Sequence, residues 1–351
     1  MKAVVYRGVD NLVVESIPVP RMGPQELLVR IGACGVCPTD IKKIKHGTVE
    51  PPRVFGHESA GIIAKKGALV RGFEVGDRVA LHHHVPCMDC HACRHGVYAQ
   101  CATYQKTGIT AGFAPAGGGY AEYVRVMPFV FPGIVRIPDK NSLIEGAFLE
   151  PVNTVLKAIH RLNLLPGDKV MVAGQGPIGL MFTRLLSARG MSVLATDLLP
   201  ERLKLAKTFG ATLALPGDQE GFADRLERWS RGQKLDAMIL AVPVNGLATA
   251  GQTWVRGGGQ VLLFAHTLRK DWGKVDLGAI CMEEKDLIGS YSSDVTLQKE
   301  VAKIVFSRVL DVRKLVTHRF SLDQAAAAVN LAANPQSGAL KIVVDQCLEK
   351  D

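Results

Sequence analysis

From Met1 to about Arg30 apolar positions come in short alternating runs broken at Pro18, Pro20, Gly23 and Pro24, and this period of two predicts β-structure with turns. Leu27-Leu28-Val29-Arg30-Ile31 reads as a strand, Asp40 to Ile44 as a single helical turn, and strands return at Ala60 to Ala64 and at Arg78 to Leu81. From Glu145 to Leu162 the spacing becomes helical. Thereafter unbroken apolar runs alternate with helical stretches: Lys169 to Ala173, Ser192 to Thr196, Ala237 to Val242, Gln260 to Phe264 and Leu287 to Ser290. Pro200 starts a helix that Gly210 ends. Strands apolar on both faces, separated by helices, predict a parallel sheet covered on both sides. A helix from Leu297 to Ser307, a capping box at Ser321 and Gln324 ahead of an Ala-rich helix (Ala325 to Ala333), and a strand at Lys341 to Asp345 complete the pattern, without internal repeats.

The chain has 351 residues, too many for one ordinary core, so the change of texture near Gly146 reads as a domain boundary. With 47% hydrophobic and 21% charged residues the composition is that of a soluble globular protein. No apolar run approaches the length of a bilayer span, and the first residues lack a signal peptide's apolar core; the expectation is a cytoplasmic protein without membrane contact. The net charge of +9 is spread along the chain with no basic block, which suits anionic small molecules and argues against nucleic acid.

Cys87, Cys90, Cys93 and Cys101 form a C-x2-C-x2-C-x7-C run among turn residues, the spacing of a closed four-sulfur zinc site; the Cys-Pro that ends a ferredoxin cluster motif is absent. Cys37 with His57 and Glu58 offers a thiolate, an imidazole and a carboxylate, an incomplete set that leaves a zinc ion an open position. His82, His83 and His84 precede the four-cysteine lobe as cleft-lining or surface residues. Cys34, Cys281 and Cys347 lack metal spacing and read as ordinary thiols. Gly117-Gly118-Gly119 eases a bend and does not cradle phosphate, because no helix start follows it. Gly174-Gln175-Gly176-Pro177-Ile178-Gly179 follows a strand, opens a helix, and has Asp197 at the end of the next strand, 23 residues past Gly174. That arrangement predicts a dinucleotide site, with pyrophosphate on the helix N-terminus and Asp197 on the adenosine ribose, favouring NAD over NADP. Arg202, one turn into the following helix, joins the cofactor-binding candidates.

With both motif sets in place the chain resembles the zinc-dependent medium-chain alcohol dehydrogenases, most closely the sorbitol (polyol) and threonine dehydrogenase branch. The resemblance also takes in Gly35-Val36-Cys37-Pro38-Thr39-Asp40, Gly56-His57-Glu58, Gly76-Asp77-Arg78-Val79, Gly119-Tyr120-Ala121-Glu122-Tyr123 and Glu150-Pro151. It implies an α/β architecture. A GroES-like β-rich catalytic domain takes residues 1–151 and 293–351, with a structural zinc lobe at 86–103, and a Rossmann NAD-binding domain takes 152–292. The active site would lie in the cleft between them. By position Cys37 and His57 match zinc ligands, while Glu58 and Glu150 match carboxylates that ligate the zinc or sit just behind it. Thr39 matches the hydroxyl that bonds the substrate oxygen and starts a proton relay, and Asp40 a partner that orients His57. Thr154 should approach the nicotinamide and Lys341 the pyrophosphate. Lys42 stands where many relatives carry a relay histidine; a lysine there relays protons or binds an anionic substrate group, and His46 is another relay candidate.

The implied reaction is reversible oxidation of a secondary alcohol or polyol to the ketone, with two zinc ions per chain and NAD, in a homo-oligomer, dimer or tetramer. Threonine and sugar phosphates are alternative substrates. A zinc-free quinone or enone reductase on the same scaffold and a non-catalytic dinucleotide-binding zinc protein are the rival functions.

Overall fold

A computed structural model describes residues 1–82, 85–106, 116–218, 220–266, 272–334 and 338–347. His83 and His84 lie outside the described residues. The chain divides into two units, Met1–Asn153 with Ser293–Asp351, and Thr154–Ser292. Among the described residues no helix is long and apolar enough to cross a membrane.

In the second unit the unbroken apolar runs become a six-stranded parallel sheet. Its spatial order is Leu213–Pro216, Ser192–Asp197, Lys169–Ala173, Leu235–Leu240, Val255–Leu263, Asp286–Gly289. Numbered along the chain this is 3-2-1-4-5-6, the doubly wound order whose direction reverses beside Lys169–Ala173. Val170, Met171, Val172 and Ala173 are at most 1% exposed, which is why this strand shows no alternation in the sequence. Met171, Leu194, Leu215, Met238, Leu240 and Val261 share one core. Each such side chain contributes about 1.5–3 kcal/mol through burial.

The first unit is antiparallel and pivots on the strand Leu27–Gly35. One neighbour is Glu58–Lys66, followed by Arg78–Leu81 and Val135–Arg136. On its other side lies the tail strand Lys341–Asp345, paired in parallel with Val316–Phe320, and Tyr123–Val126 pairs with its first half. A three-stranded sheet of Asn11–Ser16, Lys2–Gly8 and Arg53–Val54 stands apart. At the end of the pivot strand Gly35 is opposite Glu58 on one side and Val343 on the other. That register brings residues from three distant stretches of chain to one spot.

The structure departs from the sequence reading at three elements. The expected turn at Asp40 to Ile44 is a nine-residue helix, Pro38–His46, begun by a proline in its first turn and ended by Gly47 at φ +59°. The expected helix from Glu145 to Leu162 is two, Leu143–Ala147 and Leu149–Ile159, parted at Phe148. A reciprocal capping box between Ser142 and Glu145 starts the first of them. The strand expected to stop at Ile31 runs on to Gly35. Asn153, fully buried, fastens the returning chain: its Nδ2 donates to Asp294 O at 2.9 Å and its Oδ1 accepts from Asp294 N at 2.7 Å.

Candidate active site

The pivot strand delivers Cys37 to the N-cap of the Pro38–His46 helix, and the facing strand begins at Glu58, directly after His57. Ligand atoms of Cys37, His57 and Glu58 all lie within 4.8 Å of one another, with His57 and Glu58 buried. One sulfur, one imidazole nitrogen and one carboxylate oxygen that can converge on a point suit zinc and leave a coordination position free. Gly56 makes the approach possible: its φ is +97°, and a Cβ there would stand 2.7 Å from Cys34 Sγ. Gly35 has the same duty, since a Cβ would collide with the Glu58 carboxylate and crowd Lys341.

A second ring of partners fixes these groups. Asp40, fully buried, has its carboxylate 3.2 Å from His57 Nδ1 and accepts from Gly56 N at 3.3 Å. This holds His57 Nδ1 toward Asp40 and leaves Nε2 for a metal. Burial opposes ionisation of Asp40, but His57, Lys43 and the Gly56 N–H outweigh it and hold the carboxyl below its usual range. Thr39 Oγ1 is 3.1 Å from Cys37 Sγ. Lys341, 6% exposed, donates to Glu58 Oε1 at 2.6 Å and to Val36 O at 3.0 Å. Its Nζ is also 2.5 Å from Glu58 Oε2, but only the Oε1 bond is well aimed, so Oε2 has no sound hydrogen bond. Burial first, then the Glu58 charge, pushes the Glu150 carboxyl up to about 7, while His57 and Lys341 pull it the other way. Glu150 is therefore within electrostatic reach of the group without belonging to its tight triad.

The four-cysteine lobe is built differently. Cys90 and Cys93 Sγ are 3.5 Å apart, Cys87 and Cys101 3.7 Å, and Cys87 and Cys93 4.0 Å. A tetrahedron of sulfurs about 2.3 Å from a zinc ion has edges of roughly 3.8 Å, so the spacing fits the ion and is far too long for disulfides. Backbone N–H groups of Cys90 and Cys87 point at Cys87 Sγ and Cys101 Sγ, at 3.3 and 3.4 Å. Burial disfavours the Cys101 thiolate, but the backbone N–H groups of Cys87 and Tyr104, with the Cys87 and Cys90 thiols, overcome it and bring the thiol down to about 6. The lobe packs on Ala99 and Tyr104, whose hydroxyl is 3.2 Å from Ser293 Oγ.

In the second unit the fingerprint turns between Lys169–Ala173 and the helix Pro177–Ala188. Gly174 has φ +89°, open space surrounds the position a Gly176 Cβ would take, and a Gly179 Cβ would collide with Gly174 O. These are the three duties of a dinucleotide turn: a tight bend, close ligand approach, and helix-on-strand packing. Pro177 and Ile178 form the first turn of that helix, and the Gln175 side chain is buried, bonded to Val172 O and Thr183. Asp197 accepts from Gln175 N at 2.6 Å and Leu199 N at 3.0 Å, with Arg202 Nη1 at 3.8 Å.

The structure thus gathers Cys37, Thr39, Asp40, His57, Glu58, Lys341 and, by its electrostatics, Glu150. Lys341, assigned to a pyrophosphate from the sequence, has its ammonium on Glu58. Lys42 lies half-buried one turn past Thr39, whereas Lys43 is the lysine that acts on Asp40. His46 is exposed at the helix end. Thr154 opens the second unit. Tyr120, fully buried with its hydroxyl 3.4 Å from Gly35 O, was missed as a neighbour of the site, although its place after Gly119 in a matched motif pointed to it.

The sequence matches the alcohol dehydrogenase GroES-like domain over residues 23–139 and the zinc-binding dehydrogenase domain over residues 177–309. It is 30% identical to sorbitol dehydrogenase of Bacillus subtilis, over 98% of this chain and 97% of that protein. Among solved structures it resembles a zinc-binding dehydrogenase of Sinorhizobium meliloti bound to NADP, with a TM-score of 0.88 and 26% identity over 98% of each chain. It also resembles galactitol-1-phosphate dehydrogenase of Escherichia coli, with a TM-score of 0.85 and 27% identity, covering 98% of this chain and all of that one. The chain belongs to the zinc-dependent medium-chain alcohol dehydrogenases, in the branch of sorbitol dehydrogenase, with a GroES-like domain and a Rossmann-type domain.

Proposed function

We propose that this dehydrogenase oxidises a secondary alcohol carbon of a polyol to the ketone, reversibly, with NAD, at Cys37, His57 and Glu58. The observation that carries this reading is the convergence of those three donors beside the Thr39 hydroxyl. Zinc held there supplies Lewis acidity toward an alcohol oxygen, and the nicotinamide supplies the hydride acceptor. The chain's own groups do the rest. Thr39 accepts the proton of the substrate hydroxyl and passes it outward, with Lys42, one turn further along the same helix, as the next group. Asp40 keeps His57 in one tautomer, and Lys341 sets its ammonium against the buried Glu58 carboxylate and holds it in place. Glu150, with its carboxyl near neutrality, exchanges a proton beside the ligands or takes a ligand position itself.

The Asp197 carboxylate at the end of the second strand favours a free ribose hydroxyl over a 2′-phosphate, hence NAD over NADP, with Arg202 beside it. The four-cysteine lobe holds the second zinc of the chain. The exposed Trp272, Leu277 and Met282, close in sequence to the edge strand Asp286–Gly289, support a homo-oligomer, a dimer or tetramer, and the cytoplasm is the compartment that goes with this reading. A second reading, a phosphorylated polyol as substrate, is favoured by Lys42, Lys43 and Lys45 on the helix that carries Thr39.

The test is NAD reduction at alkaline pH over sorbitol, xylitol, simple secondary alcohols, threonine and phosphorylated polyols. Turnover of free polyols at the highest kcat/KM is expected. Turnover confined to threonine or to the phosphorylated compounds would displace the first reading.

A further inference from the structure

We propose that a basic concavity on the first unit, separate from both cysteine clusters, binds a small polyanion of the phosphate class, inorganic pyrophosphate or a phosphate ester. Its volume is about 480 Å³, and neither Cys37, His57, Glu58 nor the four-cysteine lobe lines it. Five cationic side chains, Arg78, Lys140, Arg308, Arg313 and Arg319, line it against two acids, Asp139 and Glu145. They come from widely separated stretches. Arg78 opens the strand Arg78–Leu81, Lys140 sits in the turn before the Leu143–Ala147 helix, Arg308 follows the Gln298–Phe306 helix, and Arg319 is on Val316–Phe320. Only folding gathers charges that the sequence spreads out.

The charges do not cancel. Glu145, 2% exposed, is committed to Arg308 Nε at 3.0 Å and to Ser142 and Asn141. Asp311 holds Arg313 through Nε at 2.7 Å and Nη2 at 2.9 Å. Arg78 meets no carboxylate among the described residues; its guanidinium donates to the carbonyl oxygens of Pro138, Asp139 and Asn141 at 3.1, 3.3 and 2.6 Å. The Lys140 ammonium makes no hydrogen bond or ion pair among the described residues. Arg319 pairs with Asp345, at 3.7 Å. Arg78 and Lys140 thus carry charge that no carboxylate offsets at contact distance among the described residues, Arg319 shares its charge with Asp345, and the exposed carboxylate of Asp139 stands against them.

The bland alternative is a solvated rim of arginines, and two features argue against it. Three carbonyls clamp Arg78 at a fixed orientation, so its fork is set in place before a ligand arrives. Cations approaching from separate elements suit a tetrahedral oxyanion, which presents three acceptor oxygens, better than a planar carboxylate, which one fork satisfies. The space exceeds that of a single phosphate ion, hence a pyrophosphate or an ester. A nucleic acid would need a continuing basic track, and the sequence holds no basic block to supply one.

The experiment is calorimetric titration of the zinc-loaded enzyme with inorganic pyrophosphate, with NADH in excess to fill the nucleotide site and chloride-balanced ionic strength throughout. One pyrophosphate per chain is expected, bound at least about tenfold more weakly by the double variant Lys140→Glu, Arg319→Gln, with NADH affinity unchanged. Both side chains are exposed and Arg319→Gln sets no negative charge beside the buried Asp345, so the variant should unfold close to the wild-type midpoint, and Lys140→Ala alone should give an intermediate loss. No binding by wild type beyond the chloride control overturns the proposal. Undiminished affinity in the double variant does so too, because it would move the ion to the metal or nucleotide site, and a changed NADH affinity would reassign the two cations to that nucleotide site. The substrate screen can fail without touching this result, since the concavity shares no side chain with the alcohol site.

Discussion

Two sites in one unit use cysteine in opposite ways. The lobe of Cys87, Cys90, Cys93 and Cys101 is all sulfur, and backbone N–H groups of the lobe itself point at two of its thiols. The group of Cys37, His57 and Glu58 has three kinds of donor, each steadied by a side chain: Thr39 beside Cys37, Asp40 on His57, Lys341 on Glu58. A closed sulfur shell saturates the ion and leaves it only a folding role, whereas a mixed and incomplete shell leaves room for substrate. The difference teaches that supporting partners, as much as ligands, mark the chemical site.

Three variants sharpen or break this contrast. Cys37→Ser should lower alcohol-dependent NAD reduction at least about a thousandfold, since several kcal/mol of Lewis-acid stabilisation are lost. NADH binding, followed by fluorescence, should survive. Cys90→Ser should instead cost about 3 kcal/mol of stability, or roughly 6–12 °C in unfolding midpoint, because metal binding in a closed site is folding energy. A scan unchanged from wild type would refute the structural role. Asp40→Asn keeps the shape beside His57 but removes the charge, and should weaken zinc at the mixed site about 10–100-fold in chelator competition. Equal competition curves would show that Asp40 does not act through the metal.

Glu145 supplies the baseline, a buried carboxylate that the protein satisfies by itself. Burial opposes its ionisation, but Ser142 N, Arg308 and Asn141 prevail and hold it below the usual carboxyl range. Its contribution is then complete above the ordinary carboxyl pKa near 4.3 and disappears as pH falls through the lower folded value. Glu145→Gln should cost about 1–3 kcal/mol at pH 7 and flatten the acid limb of denaturation, measured in urea at several pH values. An unchanged limb would remove that role.

What could be read from the sequence was local. The four-cysteine spacing, the strand Lys169–Ala173 with its glycine turn, and Asp197 closing the next strand are each written in a few consecutive residues. The Ser321–Gln324 capping box was legible for the same reason. What escaped depends on distant pairing. Nothing near Lys341 announces that it meets a carboxylate 283 residues earlier; that follows from the sheet register. The break at Phe148 was hidden because the apolar spacing continues through it. The Ser142 cap was legible, yet it was overshadowed by the stronger period that follows.

The central claim is that the mixed-donor group holds its own metal. Zinc content per chain, determined by mass spectrometry on wild type and on Cys37→Ser, tests it most directly. Two zinc ions in the wild type and one in the variant are expected; a single zinc in wild type, or two retained after the substitution, would contradict it.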